Sequence, residues 1–251
     1  MYSRYVAIGD SSTEGLDDPD GQGGYRGWAN RLAERIAAAQ GSLLYANLGV
    51  RGLRTRQIRE SQIDVALAMR PDLVTLFSGT NDAVSRRFDL ASFESDFSFM
   101  QRALIARGAT VVSFTLPDLS DVLPFGRWLS PRIAALNETI RKSSRTSGAV
   151  LVDFAVHEVA SDVRLWSADR FHANATGHAL IAHALAHAIA IPGADDSWQR
   201  PFDGTARAKS RGTTTWIVRH LIPWAWRHAR GRSSGDGRAA KRPHLEAVAV
   251  D

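Results

Sequence analysis

Five short runs of continuous apolar residues are spread across the first 191 positions of the chain. They are rich in β-branched and aromatic side chains and occupy residues 5–9, 43–49, 72–79, 109–116 and 149–154. An apolar run without polar alternation is typical of a strand that is buried on both faces of a parallel sheet. The pattern therefore predicts a sheet of five parallel strands.

Amphipathic stretches with helical spacing separate these runs. They cover residues 26–40, 55–69, 90–107, 131–146 and about 176–191. This alternation predicts an α/β domain with helices on both faces of the sheet, a three-layer α/β/α arrangement. Right-handed crossovers would then place the carboxyl ends of all the strands along one edge of the sheet.

The residues beyond position 195 differ in character from this alternating region. Residues 197–212 have the composition of a linker, and residues 213–232 are basic, apolar and partly helical in period, with an interruption at Pro223. Residues 233–251 are dominated by Ser, Gly, Lys and Arg, which is typical of a mobile end. We predict a domain at 1–195 and a basic, Trp-containing, partly mobile extension at 196–251.

Charge and composition narrow the function classes. The formal net charge is +5, and the extension holds 11 basic and 5 acidic residues, so residues 1–195 are close to neutral. The high isoelectric point is therefore no indication that the main domain binds nucleic acid. The absence of cysteine excludes disulfides, thiolate catalysis and cysteine-based zinc sites.

The chain begins without a basic segment followed by an apolar one, and it has no apolar stretch of membrane-spanning length. These features predict a soluble, cytoplasmic protein.

Small polar residues follow the predicted strands at the edge where a site is expected. The first strand runs into GDSS, the second into NLGVRG and the third into SGTND, and SADRFHANATGH lies beyond the fifth. Ligands of open α/β sheets bind in the crevice outside the carboxyl ends of the strands. These segments are therefore candidates for one common site.

Four of these motifs, in this order, resemble the conserved blocks of the SGNH hydrolases, also called GDSL-type esterases and lipases. The blocks are GDSSTEG, NLGVRG, GTND and DRFH, and the resemblance extends over roughly residues 5 to 190. It implies a flavodoxin-like fold with a five-stranded parallel sheet, and ester hydrolysis without a cofactor or a metal. It assigns Ser11 as the nucleophile, His172 as the general base and acid, and Asp169 as its partner. The oxyanion hole would comprise the backbone N–H groups of Ser11 and Gly52 and the side-chain amide of Asn81.

The chemistry of these residue types agrees with the roles that the resemblance implies. A serine hydroxyl is a weak nucleophile unless a base such as histidine removes its proton. A carboxylate three residues before His172 is close enough in a tight turn to hold the other ring nitrogen. Glycine allows a substrate to approach its backbone closely, and asparagine donates a hydrogen bond without becoming charged.

Two positions depart from the family pattern. Ser12 stands where the family often has leucine, and Ala173 stands where it often has proline. Neither departure removes a catalytic group. The two departures therefore weaken any inference about the substrate more than the inference about the reaction type. The same triad serves an ester hydrolase, an acyltransferase or a carbohydrate O-acetyl esterase, and a non-catalytic binding module is a more remote alternative. The substrate-binding residues and the oligomeric state are left open.

Other polar residues near the motifs have structural interpretations that we favour over functional ones. Asp10 and Asp82 are expected to brace their own turns. His183 and His187 are four residues apart on the last predicted helix, a spacing that can ligate metal, but with His178 they are expected to pack or lie at the surface.

The surroundings of the site offer further alternatives. Arg51 and Arg54 either meet an anionic substrate group or are solvated, and we favour solvation. The apolar loop at 119–131 either lines an acyl pocket or packs on a small core of its own, involving the following residues: Leu119, Val122, Leu123, Phe125, Trp128 and Leu129.

The aromatic and basic residues of the extension have three interpretations. They are Trp216, Arg219, Trp224, Trp226, Arg227 and Arg230. They dock on the catalytic domain, contact an anionic membrane surface, or bind a partner protein. We favour docking, because Pro223 interrupts any continuous amphipathic helix. A small-molecule ester is the other expected partner, and no nucleic acid is expected.

Overall fold

The computed structural model describes residues 1–120, 122–123, 126–204, 213–216, 218–219, 222 and 234–249. Its described strands form one sheet. They are β1 (Arg4–Gly9), β2 (Leu44–Asn47), β3 (Leu73–Phe77), β4 (Thr110–Phe114), β5 (Val150–Val152) and β6 (Arg242–Ala247). The order across the sheet is β5-β4-β3-β1-β2-β6.

Helices connect the strands, and their bounds follow the amphipathic stretches closely. They are α1 (Ser11–Glu14), α2 (Gly27–Gln40), α3 (Thr55–Ala68), α4 (Thr80–Ala83), α5 (Leu90–Ile105), α6 (Gly126–Ser147), α7 (Ala175–Ala188) and α8 (Thr213–Trp216). Short 3₁₀ turns at 154–156, 158–161 and 163–165 lead from β5 towards α7. The predicted α/β fold class is confirmed.

The sheet has six strands rather than the five predicted. Strands β1 to β5 are parallel, as expected, but β6 pairs antiparallel with β2, placing Leu44 opposite Ala247 and Asn47 opposite Arg242. Strand β6 comes from the segment that the sequence predicted to be mobile. Its side chains are mostly exposed, so this edge strand lacks the apolar run that marks a buried one.

Buried side chains on both faces of the sheet explain why the five parallel strands are apolar throughout. Val6, Val74 and Val111 lie at paired positions of β1, β3 and β4 and are buried. Helix α2 packs against α7, and α5 packs against both α3 and α6. The core therefore extends across the sheet and leaves the carboxyl ends of the parallel strands for a site.

The apolar loop at 119–131 packs mainly into this core. Leu119, Val122, Leu123 and Leu129 are buried, whereas Trp128 is 61% exposed. Phe125 lies outside the described residues. Helix α6 begins at Gly126, five residues before the predicted start at Pro131.

Among the described residues, no helix is both long enough and apolar enough to cross a bilayer.

Candidate active site

The turn that carries Ser11 begins where β1 ends at Gly9. The side chain of Gln62 on α3 is buried and holds both backbone groups of Gly9: its Oε1 accepts from the Gly9 N–H at 2.8 Å, and its Nε2 donates to the Gly9 carbonyl at 2.8 Å. A Cβ at position 9 would lie 2.2 Å from Thr13 Oγ1 and 2.5 Å from the Phe77 carbonyl. Glycine is therefore required here, and the close packing around it fixes the position from which the chain enters the Ser11 turn.

Ser11, His172 and Asp169 form a continuous chain of hydrogen bonds. Ser11 Oγ lies 2.9 Å from His172 Nε2, and His172 Nδ1 lies 2.6 Å from Asp169 Oδ2. The Nδ1 proton faces the carboxylate, which leaves Nε2 free to accept the serine proton. This is the arrangement of nucleophile, base and orienting acid in a Ser-His-Asp triad.

The pKa values of the two partners shift in opposite directions. Burial favours the neutral imidazole, but the hydrogen bond and charge of Asp169 outweigh it, so the pKa of His172 is raised. Burial would raise the pKa of Asp169, but the hydrogen bond and charge of His172 lower it below its ordinary value. Asp169 therefore remains a carboxylate, and its negative charge favours the protonated form of His172.

A tight turn delivers Asp169 and His172 together. Asp169 Oδ1 accepts from the backbone N–H groups of Phe171 and His172, each at 2.9 Å, and from Ser167 Oγ at 2.6 Å. Arg170, between the acid and the base, has a positive φ of 60°. A left-handed residue without the freedom of glycine is strained, so its surroundings must hold the turn in this form.

The loop after β2 brings Gly52 to the same edge. Its neighbours are fixed to the Ser11 turn: the Val50 N–H donates to the Gly9 carbonyl at 3.2 Å, and the Arg51 N–H donates to Glu14 Oε2 at 2.9 Å. Gly52 has a φ of 78°, a conformation that suits glycine. The Arg51 side chain pairs with Glu14, so it is neither solvated nor free for an anionic substrate.

Asn81 reaches the site from α4 and is already hydrogen bonded there. Its Nδ2 donates to the Leu53 carbonyl at 3.0 Å and to Asp10 Oδ2 at 3.3 Å. The next residue, Asp82, accepts from the backbone and hydroxyl of Thr55 at 3.1 and 2.8 Å, so it holds the start of α3 rather than its own turn.

The family departure at Ser12 has a local explanation. Ser12 Oγ accepts a hydrogen bond from the indole Nε1 of Trp28 at 3.1 Å, and Trp28 is fully buried. A leucine at position 12 would leave this buried N–H without that partner, and an unsatisfied donor costs about 1–3 kcal/mol. The serine is therefore matched to the tryptophan on α2.

The three histidines of α7 make separate contacts. His178 is buried: it accepts from the Trp28 backbone N–H at 3.1 Å and donates to the Leu16 carbonyl at 2.9 Å, and burial lowers its pKa to about 4. His183 accepts from the Asp195 N–H, and His187 accepts from the Trp198 indole. They do not converge on a metal site.

One group of described residues brings three potential metal ligands together. Asp17, Asp169 and His172 have ligand atoms within 4.8 Å of one another. Asp169 and His172 are already hydrogen bonded within the triad. An ion at this place would disrupt the bond that orients the base.

A pocket with largely apolar walls opens beside Ser11 and His172. Its apolar lining includes Phe77, Phe114, Leu116, Phe154, Leu180 and Ile181. Leu119 also lines it, whereas the other described apolar residues of the loop at 119–131 do not. The sequence analysis did not identify most of these side chains, because strand ends and α7 supply them from distant positions and their apolar character also fits the core.

The geometry defines a class: an α/β fold with a Ser-His-Asp triad at the carboxyl edge of its sheet. The model of the GDSL-like lipase/acylhydrolase family matches residues 7–180. The chain therefore belongs to the GDSL-like lipase/acylhydrolase family, and the resemblance inferred from the motifs is confirmed.

Solved structures with the same fold agree with this membership. TesA shares 19% identity at a TM-score of 0.63, covering 74% of this chain and 98% of TesA. A lipase/acylhydrolase from Enterococcus faecalis shares 23% identity at 0.61, covering 74% of this chain and 95% of its own. A catalytic mutant of the acetylxylan esterase Axe2 from Geobacillus stearothermophilus shares 16% identity at 0.62, covering 80% and 97%. A search among curated proteins found no match.

Asp10 provides a test of the electrostatics beside the nucleophile. Burial, reinforced by the charge of Asp82, raises the pKa of Asp10 to about 7, against the hydrogen bond from Ser12 and the charge of His172. Between pH 4 and 7 the folded state holds a proton that the unfolded state has lost, so this group's contribution to stability falls as the pH rises.

In the wild type, Asp10 lowers the free energy of unfolding by up to about 1.4 kcal/mol for each unit that the pH rises between 4 and 7. Asparagine does not ionise, so Asp10→Asn should lose this decrease. Urea unfolding at pH 5, 6 and 8 measures the difference between variant and wild type. The exposed Asp64→Asn serves as the control for the loss of one negative charge. Parallel curves for wild type and Asp10→Asn would contradict the assignment.

Proposed function

We propose that this protein is a serine hydrolase that cleaves carboxylic esters through an acyl-enzyme intermediate. The observation that carries the proposal is the hydrogen-bonded chain from Ser11 Oγ through His172 to Asp169, with links of 2.9 and 2.6 Å. Membership of the GDSL-like lipase/acylhydrolase family supports the same reaction class.

The triad accounts for both halves of the reaction. Ser11 Oγ attacks the ester carbonyl carbon while its proton passes to His172 Nε2, and the carbonyl oxygen becomes an oxyanion. The tetrahedral intermediate then breaks the bond to the alcohol oxygen, which takes the proton from His172. Water then attacks the acyl carbonyl carbon while His172 takes its proton. The bond to Ser11 Oγ breaks, Ser11 takes the proton back from His172, and the carboxylic acid is released.

The oxyanion would be stabilised by groups from three separate segments. The backbone N–H groups of Ser11 and Gly52 and the Nδ2 group of Asn81 are the proposed donors. The loop before Gly52 is fixed because its N–H groups donate to Gly9 and Glu14, which flank Ser11. Asn81 is held by its hydrogen bond to the Leu53 carbonyl. Donors that are fixed in advance need little rearrangement during the reaction, which is why they lower the barrier.

The apolar pocket favours an aliphatic acyl group. The cavity has a volume of about 80 Å³. A small cavity with apolar walls suits a short aliphatic chain better than a polar group. We propose acyl chains of four to eight carbons as the preferred group, in preference to the acetyl group of an acetylated sugar.

Hydrolysis of p-nitrophenyl esters from acetate to palmitate, by wild type and Ser11→Ala, tests the reaction. We expect wild-type activity with its highest kcat/KM between butanoate and octanoate, and loss of activity in the variant because the nucleophile is gone. Equal hydrolysis by both proteins would remove Ser11 from the mechanism. Added alcohol acceptors in the same assay separate hydrolysis from acyl transfer by the products formed.

Asn81→Ala tests the oxyanion hole. Loss of one such donor typically lowers kcat by about 10²–10³-fold. We expect a decrease of this size with little change in KM, because the bond strengthens as the oxyanion forms. Thermal unfolding checks that the variant folds. A kcat within a few-fold of wild type would exclude Asn81 from the hole.

Ile181→Phe tests the assignment of the acyl pocket. Ile181 lines the pocket from α7, and a larger side chain there fills part of its volume. The preferred ester should become shorter by about two carbons while acetate turnover is retained. Ile189→Phe, at the end of the same helix and away from the pocket, is the matched control. An unchanged chain-length profile in Ile181→Phe would contradict the assignment.

A further inference from the structure

The C-terminal extension lies beyond the part of the chain that the family relatives share. The family model ends at residue 180, and the solved structures are covered over 95–98% of their own length while matching only 74–80% of this chain. The described parts of the extension nevertheless reach the active site from two sides. They contact the backbone next to two of its functional residues.

The first contact is on the acid side of the triad. Trp216, at the end of α8, donates from its indole Nε1 to the backbone carbonyl of Asp169 at 2.9 Å. Its ring is partly buried and packs against the core. The hydrogen bond therefore anchors the main chain of the catalytic acid from outside the catalytic domain.

The position of this bond matters because the turn it holds is strained. The Asp169 carbonyl belongs to the peptide that leads into Arg170, whose φ is 60°. Relaxation of that residue would rotate the peptide and change the separation of Asp169 from His172. A misplacement of about 1 Å in catalytic geometry can cost on the order of 10²-fold in rate.

The second contact is on the oxyanion side. Gly235 is buried against the backbone of the loop after β2, and a Cβ at this position would lie 2.1 Å from the Arg51 carbonyl oxygen. That carbonyl belongs to the same rigid peptide as the N–H of Gly52, the proposed oxyanion donor. The placement of Gly235 therefore bears directly on the direction of that N–H.

The following residues fix the extension in place. Lys241 Nζ donates to the carbonyls of Tyr25 and Arg26 at 2.7 and 2.9 Å. Strand β6 then pairs along β2, with Arg242 beside Asn47 at the active-site end. Because β6 pairs along β2, the turn that contains Gly235 has a defined position relative to the loop that contains Gly52.

We propose that the C-terminal extension is part of the active site, in which Trp216 positions the Asp169 turn and the backbone at Gly235 positions the Arg51–Gly52 peptide. The inference rests on the proposed function. Trp216 and Gly235 are positioning residues, because they act through backbone groups and do not touch the reacting atoms.

Trp216→Phe tests the acid side in the full-length protein, since it removes the N–H donor and keeps a ring. We expect kcat for the preferred ester to fall roughly tenfold or more with KM within about twofold of wild type. The NMR titration midpoint of the His172 ring should also fall, because the turn holds Asp169 less well. The charges of Asp10 and Asp17, which also raise the pKa of His172, are the same in wild type and variant, so they do not account for a difference between the two midpoints. Trp128→Phe, at an exposed tryptophan, is the control.

Gly235→Ala tests the oxyanion side, because the added Cβ must displace the Arg51 carbonyl. We expect kcat to fall tenfold or more with KM and the His172 midpoint unchanged, and the amide NMR signal of Gly52 to move. Ser234→Ala is the control, since it changes the exposed neighbour of Gly235 and removes only a hydroxyl.

Both results are required. The proposal is overturned if the His172 midpoint of Trp216→Phe matches that of Trp128→Phe, or if the Gly52 signal of Gly235→Ala matches that of its control. Where the wild type is active, a kcat equal to that of the control in either variant overturns it as well. Circular dichroism confirms that each variant folds. The two NMR readouts need no substrate, so they decide this inference even if the wild type cleaves no ester and the proposed function fails.

Discussion

The pair of hydrogen bonds between the Gln62 amide and the backbone of Gly9 is the constraint on which the site depends. Both bonds are buried and 2.8 Å long, and they hold the last residue of β1 where no side chain fits. The Gly9 carbonyl also accepts from Val50, so the nucleophile turn and the loop before Gly52 share one anchor. Because Ser11 follows by two residues, the 2.9 Å contact with His172 is set by the sheet rather than by a free loop.

Two aspartates near the nucleophile, one buried and one partly exposed, show how the surroundings of like groups separate their pKa values. Asp169 interacts with His172 and has three donors on Oδ1, so its pKa is lowered and it remains charged. Asp10 is 1% exposed and meets only the Ser12 N–H and the longer bond from Asn81, so its pKa is raised to about 7. One carboxylate favours a protonated imidazole, while the other limits the negative charge beside the proposed oxyanion hole.

The sequence predicted the parallel sheet and the residues that the structure brings together as a triad, because both leave local signals. Continuous apolar runs marked β1 to β5, and motif blocks at strand ends marked Ser11, Asn81 and His172. The contacts that hold these groups left no such signal: the Ser12–Trp28 bond and the placement of His178 join residues far apart in the chain. Strand β6 was missed because an exposed edge strand with arginine, proline, histidine and glutamate has neither alternation nor an apolar run.

The position of β6 changes what the basic character of the extension implies. A free basic tail favours membrane or partner contact, but the described part of this one covers the edge of β2 and places Trp216 and Gly235 against the site. Trp224, Trp226, Arg227 and Arg230 lie outside the described residues, so their roles stay predictions. Without β6, the edge of β2 would expose unpaired backbone groups beside the Gly52 loop, and such groups can pair with another chain. Pairing with β6 satisfies these groups. The same pairing delivers the turn at Gly235, so protection of the sheet edge and alignment of the proposed oxyanion donor depend on one segment.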